Sequence, residues 1–497
     1  MTSSTNFFDS ARRWMPWQDA ESKALDNQDI EVNTDRLNIR SSANAGRGGN
    51  AQATGIEDSN IDFTGNQANV NASSRTNRGD AEAVGLEDSS LDTGSGADRL
   101  NINASARTNR GDAEAVGLED SSLETGSGAD RLNINASARS RGGYAEAVGL
   151  DSSSLDTGSG DDQVEINARA NGADTNAWGM RDSSLDTGSG DDNVEINATT
   201  NSTVWDPAYG AENSSIDTGS GDDSLEINAR ATTRFGEVQA FGLKDSDVDT
   251  GSGDDDVEIN ASARSRGGYA EAVGLDSSSL DTGSGDDQVE INARANGADT
   301  NAWGMRDSSL DTGSGDDNVE INATTNSTVW DPAYGAENSS IDTGSGDDSL
   351  EINARATTRF GEVQAFGLKD SDVDTGSGDD DVEINASARS FGRGGDAEAV
   401  GLDSSSLDTG SGDDQVEINA RANGGHTNAW GMRDSSLDTG SGDDNVEINA
   451  TTNSNVWDPA YGAENSSIDT GSGDDSLEIN ARATTRFGEV QAFGLKD

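Results

Sequence analysis

Residues 156–185 read DTGSGDDQVEINARANGADTNAWGMRDSSL, and at Asp186 the same string begins again. The opening Asp-Thr-Gly-Ser-Gly recurs at Asp92, Asp156, Asp186, Asp217, Asp249, Asp281, Asp311, Asp342, Asp374, Asp408, Asp438 and Asp469, and Glu124 heads a further copy. Neighbouring openings lie between 30 residues (Asp156 to Asp186) and 34 residues (Asp374 to Asp408) apart. A fixed period in this range means stacked units, because one such unit cannot bury an apolar face by itself. A longer period overlies it. Residues 140–264 are repeated unchanged at 265–389, and a third copy follows with few differences, such as an inserted Phe391-Gly392. Copies this alike lengthen a protein without inventing a new site.

Three short segments per unit alternate with the period of two that marks a strand. Leu155 and Thr157 share one face; Val164 and Ile166 point one way while Glu165 points the other. In Ala177-Trp178-Gly179-Met180 large residues alternate with small ones, and the matching Tyr209, Phe241 and Val273 predict a stacked core column. Gly158-Ser159-Gly160 is a tight turn, and the stretch around Asn171-Gly172-Ala173 varies in length as a protruding loop does. The expected fold is all-β: a parallel β-solenoid of about fifteen coils, roughly 70 Å long at about 4.8 Å per coil. Residues 1–28, with Phe7, Phe8, Trp14, Met15, Trp17 and Leu25 among polar neighbours, are expected to be an N-terminal cap over the open strand edge or an assembly segment. Residues 29–91 are expected to be degenerate first coils without the full acidic turn, and 92–497 the regular solenoid.

The composition narrows the partners. There are 33 basic and 94 acidic residues, a net charge of −61. Nucleic acid needs a basic surface, and an anionic bilayer repels such a chain, so neither is an expected partner. Cations are. The chain has no cysteine, so no disulfide can offset a thin core. The first thirty residues contain no apolar run of signal-peptide or membrane-spanning type, and after Arg12-Arg13 the sequence turns polar rather than apolar. An extracellular or cell-surface location is expected, by a non-classical or C-terminal export signal.

The turn Thr157-Gly158-Ser159-Gly160-Asp161-Asp162-Gln163-Val164-Glu165 resembles the calcium-binding nonapeptide of repeats-in-toxin (hemolysin-type) proteins, G-G-x-G-x-D-x-U-x. Thr157 stands for the first glycine; Gly158, Gly160, Asp162 and Val164 keep the marked positions. The family runs such turns in tandem, two per coil, whereas here one occurs per coil, which implies a three-sided coil with a single metal-bearing edge. The resemblance implies Ca2+ on a ligand ladder of Asp98, Asp130, Asp162, Asp192, Asp223, Asp255, Asp287, Asp317, Asp348, Asp380, Asp414, Asp444 and Asp475. The residues just before them extend the candidate ligand set: Asp161, Asp191, Asp222, Asp254, Asp286, Asp316, Asp347, Asp379, Asp413, Asp443 and Asp474. Like charges stacked about 5 Å apart repel by roughly 1 kcal/mol per pair in water, and several times that at an effective dielectric near 20. Calcium, which takes oxygen ligands in a flexible shell, would remove that repulsion. The competing readings are a diffuse cation atmosphere and a cation-free turn whose aspartates satisfy local backbone amides.

Several strings look like chemistry and are not read so. Asp156-Thr157-Gly158-Ser159 spells an aspartic-protease signature, but that chemistry needs two carboxylates from two lobes sharing a proton. His426 is the single histidine, standing where sister coils have Asp174 and Asp299. Asn167, Asn197, Asn228 and Asn260 predict an asparagine ladder at a turn, and Trp178, Trp205, Trp303, Trp330, Trp430 and Trp457 are expected to pack in the core or in loops rather than to stack on sugar. The expected function is structural: a calcium-stiffened element of a surface layer, matrix or filament, not an enzyme. Its rivals are a polysaccharide lyase-like or epimerase-like β-helix enzyme, which needs a singular cluster that identical copies do not offer, and an adhesin or ice-binding surface. The chain stops at Gly494-Leu495-Lys496-Asp497 where sister copies continue as Asp245-Ser246-Asp247. End-to-end association, or membership of a longer polypeptide, is therefore expected.

Overall fold

The computed structural model describes residues 3–13, 18–392, 394–455, 457–487 and 489–496. It comprises two compact units, Met1–Gly251 and Ser252–Asp497. Each is a parallel β-solenoid, with no helix among the described residues. One coil of the first unit shows the plan: a long strand Gln163–Asn171, a middle strand Asp174–Arg181, a short strand Ser184–Asp186, then the acidic turn into Asn193–Ser202.

Every strand pairs in parallel with its equivalent one coil away. Val164 faces Val194, Ile166 faces Ile196 and Asn167 faces Asn197 on the long sheet; Ala177 faces Ala208 and Trp178 faces Tyr209 on the middle sheet. The first unit carries eight strands in each of its three sheets; the second carries eight long, eight middle and seven short ones among the described residues. The total is one coil more than the sequence pattern implies. The extra coil comes from the segment expected to be a cap: Ser4–Arg12 lies parallel to Arg36–Asn44, with Phe7 against Ile39, and Ala20–Asp26 lies parallel to Ala51–Glu57. The segment lacks the acidic turn and regular alternation, so only hydrogen bonds such as Arg13 N–H to the Asn44 carbonyl (3.0 Å) reveal it as the outermost layer. Trp14, Met15, Pro16 and Trp17 lie outside the described residues. The degenerate coils of residues 29–91 continue the same three strands, as in Gln67–Arg75 and Ala81–Glu87.

The core is thin and largely aliphatic. Val164, Ile166, Ala168 and Ala170 from the long strand meet Ala177, Met180 and Leu185 from the other two, all buried. Two backbone devices close each coil. The residue after the middle strand adopts a left-handed conformation (Ser152, Asp182, Asn213 and Asp245, φ 48–51°), which Asp and Asn tolerate better than most. The serine that follows is buried and forms its own ladder. Ser121 N–H donates to Ser153 Oγ and Ser153 N–H to Ser183 Oγ, both at 3.1 Å, while each hydroxyl donates to the carbonyl two residues back, as Ser153 Oγ does to Asp151 O at 2.7 Å.

The asparagine ladder exists, but in the middle of the long strand rather than at a turn. Asn167 Nδ2 donates to Asn135 Oδ1 of the preceding coil (3.1 Å) and to Glu165 Oε1 of its own (2.7 Å). Asn197 and Asn228 repeat this, as does Asn322 in the second unit. An amide has two N–H bonds to give. Here one holds the column and the other steadies a glutamate.

The middle strand contains a glycine with no room for a side chain. A Cβ on Gly179 would lie 2.2 Å from Ile196 Cγ2 and 2.5 Å from the Gly210 carbonyl oxygen, whereas one on Gly267 meets nothing within 4 Å. Gly179→Ala is therefore expected to destabilise the first unit by about 1–3 kcal/mol through overpacking, and Gly267→Ala to leave stability unchanged; midpoints of chemical denaturation followed by circular dichroism compare the two.

Candidate metal edge

The acidic turn is shaped by its glycines. Gly158 and Gly160 have φ of 84° and 126°, a region open to glycine at little cost. A Cβ on Gly160 would lie 2.0 Å from the Gly128 carbonyl oxygen, so adjacent turns stack closer than any other residue permits. Ser159 N–H donates to the Gly126 carbonyl (3.0 Å) and Gly160 N–H to the Ser189 carbonyl (2.7 Å). The turn backbone is thus already bonded between coils.

The two aspartates of each turn separate into columns of different character. The inner column is buried: Asp98, Asp130, Asp162, Asp192 and Asp223 in the first unit, and Asp255, Asp287, Asp317, Asp348, Asp380, Asp414 and Asp444 in the second. Asp475, in the last turn, is half-buried. Within each unit the backbone N–H of one inner aspartate donates to the carboxylate one coil further on, as Asp130 does to Asp162 Oδ1 (2.7 Å), Asp162 to Asp192 Oδ1 (2.8 Å) and Asp287 to Asp317 Oδ1 (2.9 Å). The outer column is exposed: Asp161, Asp191 and Asp222, then Asp254, Asp286, Asp316, Asp347, Asp379, Asp413, Asp443 and Asp474. It bonds in the opposite sense, Asp191 N–H to Asp161 Oδ1 (3.3 Å) and Asp316 N–H to Asp286 Oδ1 (2.9 Å). Both columns therefore serve backbone amides, the role the cation-free reading assigns them.

What that role leaves over is one oxygen per inner aspartate. In Asp130, Asp162, Asp192, Asp287, Asp317 and Asp348 the second oxygen, Oδ2, is buried with no hydrogen-bond partner. In Asp98, Asp380, Asp414 and Asp444 a threonine hydroxyl of the same turn takes it, as Thr375 Oγ1 does at 2.6 Å. Elsewhere that hydroxyl turns away; Thr187 Oγ1 donates to the Thr218 carbonyl at 3.3 Å. A buried carboxylate oxygen without a partner costs on the order of 1–3 kcal/mol. A proton or a cation meets that need. Burial, opposed by the nearby threonine hydroxyl and backbone N–H groups and reinforced by neighbouring aspartates, raises Asp162, Asp223 and Asp348 to about 6 and Asp287 and Asp380 to about 7. The inner column suits a hard cation such as calcium. The outer one offers exposed carboxylates already holding amides.

The middle sheet handles its acids differently. At the end of each middle strand, Asp151, Arg181, Glu212 and Lys244 lie in register in successive coils, so charge alternates along the column. Arg181 bridges Asp151 (2.5 Å) and Glu146 (2.9 Å), and Lys244 pairs with Glu212; Arg306 and Lys369 do the same in the second unit. Aligning the coils on this position exposes the alternation in the sequence itself. In the earlier coils the column is all acid. Glu57, Glu87 and Glu119 align, and Glu119 is pushed up to about 7 by burial and by Glu87. Nearby, Asp26, Glu57 and Asp58 bring carboxylate oxygens within 4.8 Å of one another, the one such group among the described residues. Lys23 already pairs with Glu57 there, at 2.5 Å.

The aromatic column packs as expected. Trp178 stacks on Tyr209 (5.5 Å) and Tyr209 on Phe241 (5.3 Å), with the Arg181 guanidinium 4.7 Å from the indole. Trp303 and Trp430 head equivalent stacks. Trp205 and Trp330 depart from the expectation: they open the middle strands Trp205–Glu212 and Trp330–Glu337 and are exposed; the Trp457 side chain lies outside the described residues. Along the left-handed corner of the first unit runs an open groove of 1080 Å³, lined by Asp58, Asp88, Asp120, Asp182 and neighbouring serines. No basic side chain lines it, so it offers nothing to neutralise an acidic sugar. A different kind of acid, missed in the sequence, sits inside the coil: Asp206 and Asp331 are completely buried, accept from Thr175 and Thr300 hydroxyls, and are raised to about 7 by burial.

These carboxyls bind protons more tightly in the fold than in the unfolded chain, whose aspartates titrate near 3.9. The stabilisation is complete below about pH 4 and is lost as pH rises through about 6 to 7. In chelator, denaturation midpoints are expected to fall steadily between about pH 4.5 and 8. Replacing Asp206 and Asp331 by Asn should flatten part of that slope.

No family model matches the chain, and no curated protein matches it. Among solved structures, that of a PL6 family alginate lyase is 8% identical over 98% of this chain and 97% of the other, with a TM-score of 0.12, too low to bear on fold or function.

Proposed function

We propose that the chain is a structural β-solenoid, organised by calcium along its acidic turns, that serves as a building element outside the cell rather than as an enzyme. The observation that carries this reading is the recurrent buried Asp Oδ2 without a partner, one per coil in six of the inner turns. Asp130, Asp162, Asp192, Asp287, Asp317 and Asp348 would hold the ion through these atoms, which lie in an otherwise uncompensated acidic column. The ion would supply positive charge between layers, and binding that requires the stacked turn adds its free energy to folding. A structural role also accords with the sameness of the sites. Each candidate acid stands among equivalents of itself, and no cluster of acid, base and nucleophile recurs or stands alone in the described turns.

Adding calcium to chelated protein is expected to raise the strand signal in the far ultraviolet and the thermal midpoint, well beyond the effect of sodium at equal ionic strength. Asn in place of Asp162, Asp192, Asp287 and Asp317 should weaken the calcium response while leaving the sodium response intact. A spectrum and a midpoint that calcium leaves unchanged would overturn the reading. Incubation with polyuronate, pectin and peptide substrates is expected to yield no turnover.

A further inference from the structure

The long strand separates two edges of opposite character. At its start lies the acidic turn. At its end lies the loop to the middle strand, roughly 30 Å away for nine residues. The acidic edge has no alternating partner. The loop edge collects exposed arginines and aromatic rings on a chain of net charge −61.

In the first unit, Phe235 N–H donates to the Thr203 carbonyl (3.2 Å), which seats Phe235 beside Val204 and Trp205 of the preceding coil. Gly236 makes the tight turn possible: its φ is 129°, and a Cβ there would lie 1.8 Å from the Val204 carbonyl oxygen. The Arg234 guanidinium sits 5.4 Å from the Phe235 ring. The second unit repeats and extends the patch. Phe360 N–H bonds to the Thr328 carbonyl (3.0 Å) and Phe391 N–H to the Thr358 carbonyl (3.1 Å), so Val329, Trp330, Phe360 and Phe391 come from three successive coils. Arg359 and Arg389 lie over the last two rings, at 5.3 and 4.3 Å. These apolar side chains are 39–64% exposed. No ion pair among the described residues engages Arg234, Arg359 or Arg389, whereas Arg181, Arg306 and Arg433 of the middle sheet are all paired.

We propose that this arginine and aromatic edge docks against the outer aspartate column of a second copy of the chain, so that copies associate side by side. Charge complementarity selects the occupant. The surface most complementary to unpaired guanidinium groups spaced by coils is a column of exposed carboxylates spaced by coils, and the chain carries one at the opposite edge of the same sheet. Both edges share the strand spacing of about 4.8 Å, so contacts made in one layer stay in register in the next. Within one unit the two edges lie at opposite ends of the same strand and cannot meet. The contact is therefore heterologous and does not close, which produces arrays rather than dimers. Net charge repels copies at a distance, so the rings, desolvated on contact, are needed along with the arginines. This goes beyond the calcium-organised solenoid, because it uses the exposed aspartates and not the buried ones.

The test uses the full chain, under whichever cation condition shows the strand spectrum, at physiological salt. Sedimentation and electron microscopy are expected to show concentration-dependent lateral arrays. Combined Arg234→Glu, Arg359→Glu and Arg389→Glu should weaken association about tenfold or more with an unchanged far-ultraviolet spectrum, as should Ser at Phe235, Phe360 and Phe391. Copies with Asp161→Arg, Asp191→Arg and Asp222→Arg, which keep the outer aspartates from Asp254 to Asp474, should associate more weakly alone and more tightly when mixed with the arginine-to-glutamate copies. Wild-type chains that stay single at high concentration, or variants that associate as tightly as wild type, overturn the proposal. So does a single wild-type chain retained on immobilised polyuronate through these arginines, which would make the edge a reader of acidic polysaccharide. A chain that ignores calcium but still forms arrays sinks the calcium reading and leaves this one standing.

Discussion

Everything in this protein follows from in-register parallel stacking, which sets each residue upon its own equivalent one coil away. For apolar residues the arrangement is favourable without further provision: valine lies on valine and isoleucine on isoleucine. For neutral polar residues it is favourable when one group both donates and accepts, as the Asn135–Asn167–Asn197 amides and the buried serines do. For ions of one sign it is costly, because a column of like charges repels at every step. The chemistry of the molecule is the set of answers to that single problem.

Two answers are visible side by side. On the middle sheet the sign alternates from coil to coil, Asp151, Arg181, Glu212, Lys244, and half-buried ion pairs lock neighbouring layers together. On the acidic turn no base enters the column. The inner aspartates are instead buried against backbone amides, with one oxygen left over in many layers. A group held in this way takes up a proton or a cation, and the proportion depends on pH and on what ions surround it. The thin core makes that choice important, since few large side chains share the load in any one coil.

The buried Asp206 and Asp331 belong to the same logic from the inside. Each sits in a strand whose neighbours offer threonine hydroxyls rather than a charge, so burial dominates and favours the neutral acid. They follow directly on the exposed Trp205 and Trp330 at the start of the same strands. Interior polarity and surface apolarity thus occur in the same layers of the super-repeat.

The solenoid was legible from residues 156–185 alone. Period-two alternation with Gly-rich turns at a fixed spacing admits one architecture, and the columns of Asp162 and Asn167 could be named from that period. The coil formed by Ser4–Arg12 and Ala20–Asp26 could not, because its sequence has no acidic turn and its place is set by backbone hydrogen bonds to the next layer. Nor could the sequence say that Asn167 lies mid-strand, since strand ends depend on where the chain turns and not on side-chain type. The adjacent letters of Asp161-Asp162 look equivalent in one dimension. Only the stacked turn decides that one carboxylate is buried with an oxygen to spare and the other faces water, because successive residues point to opposite sides of the same bonded backbone.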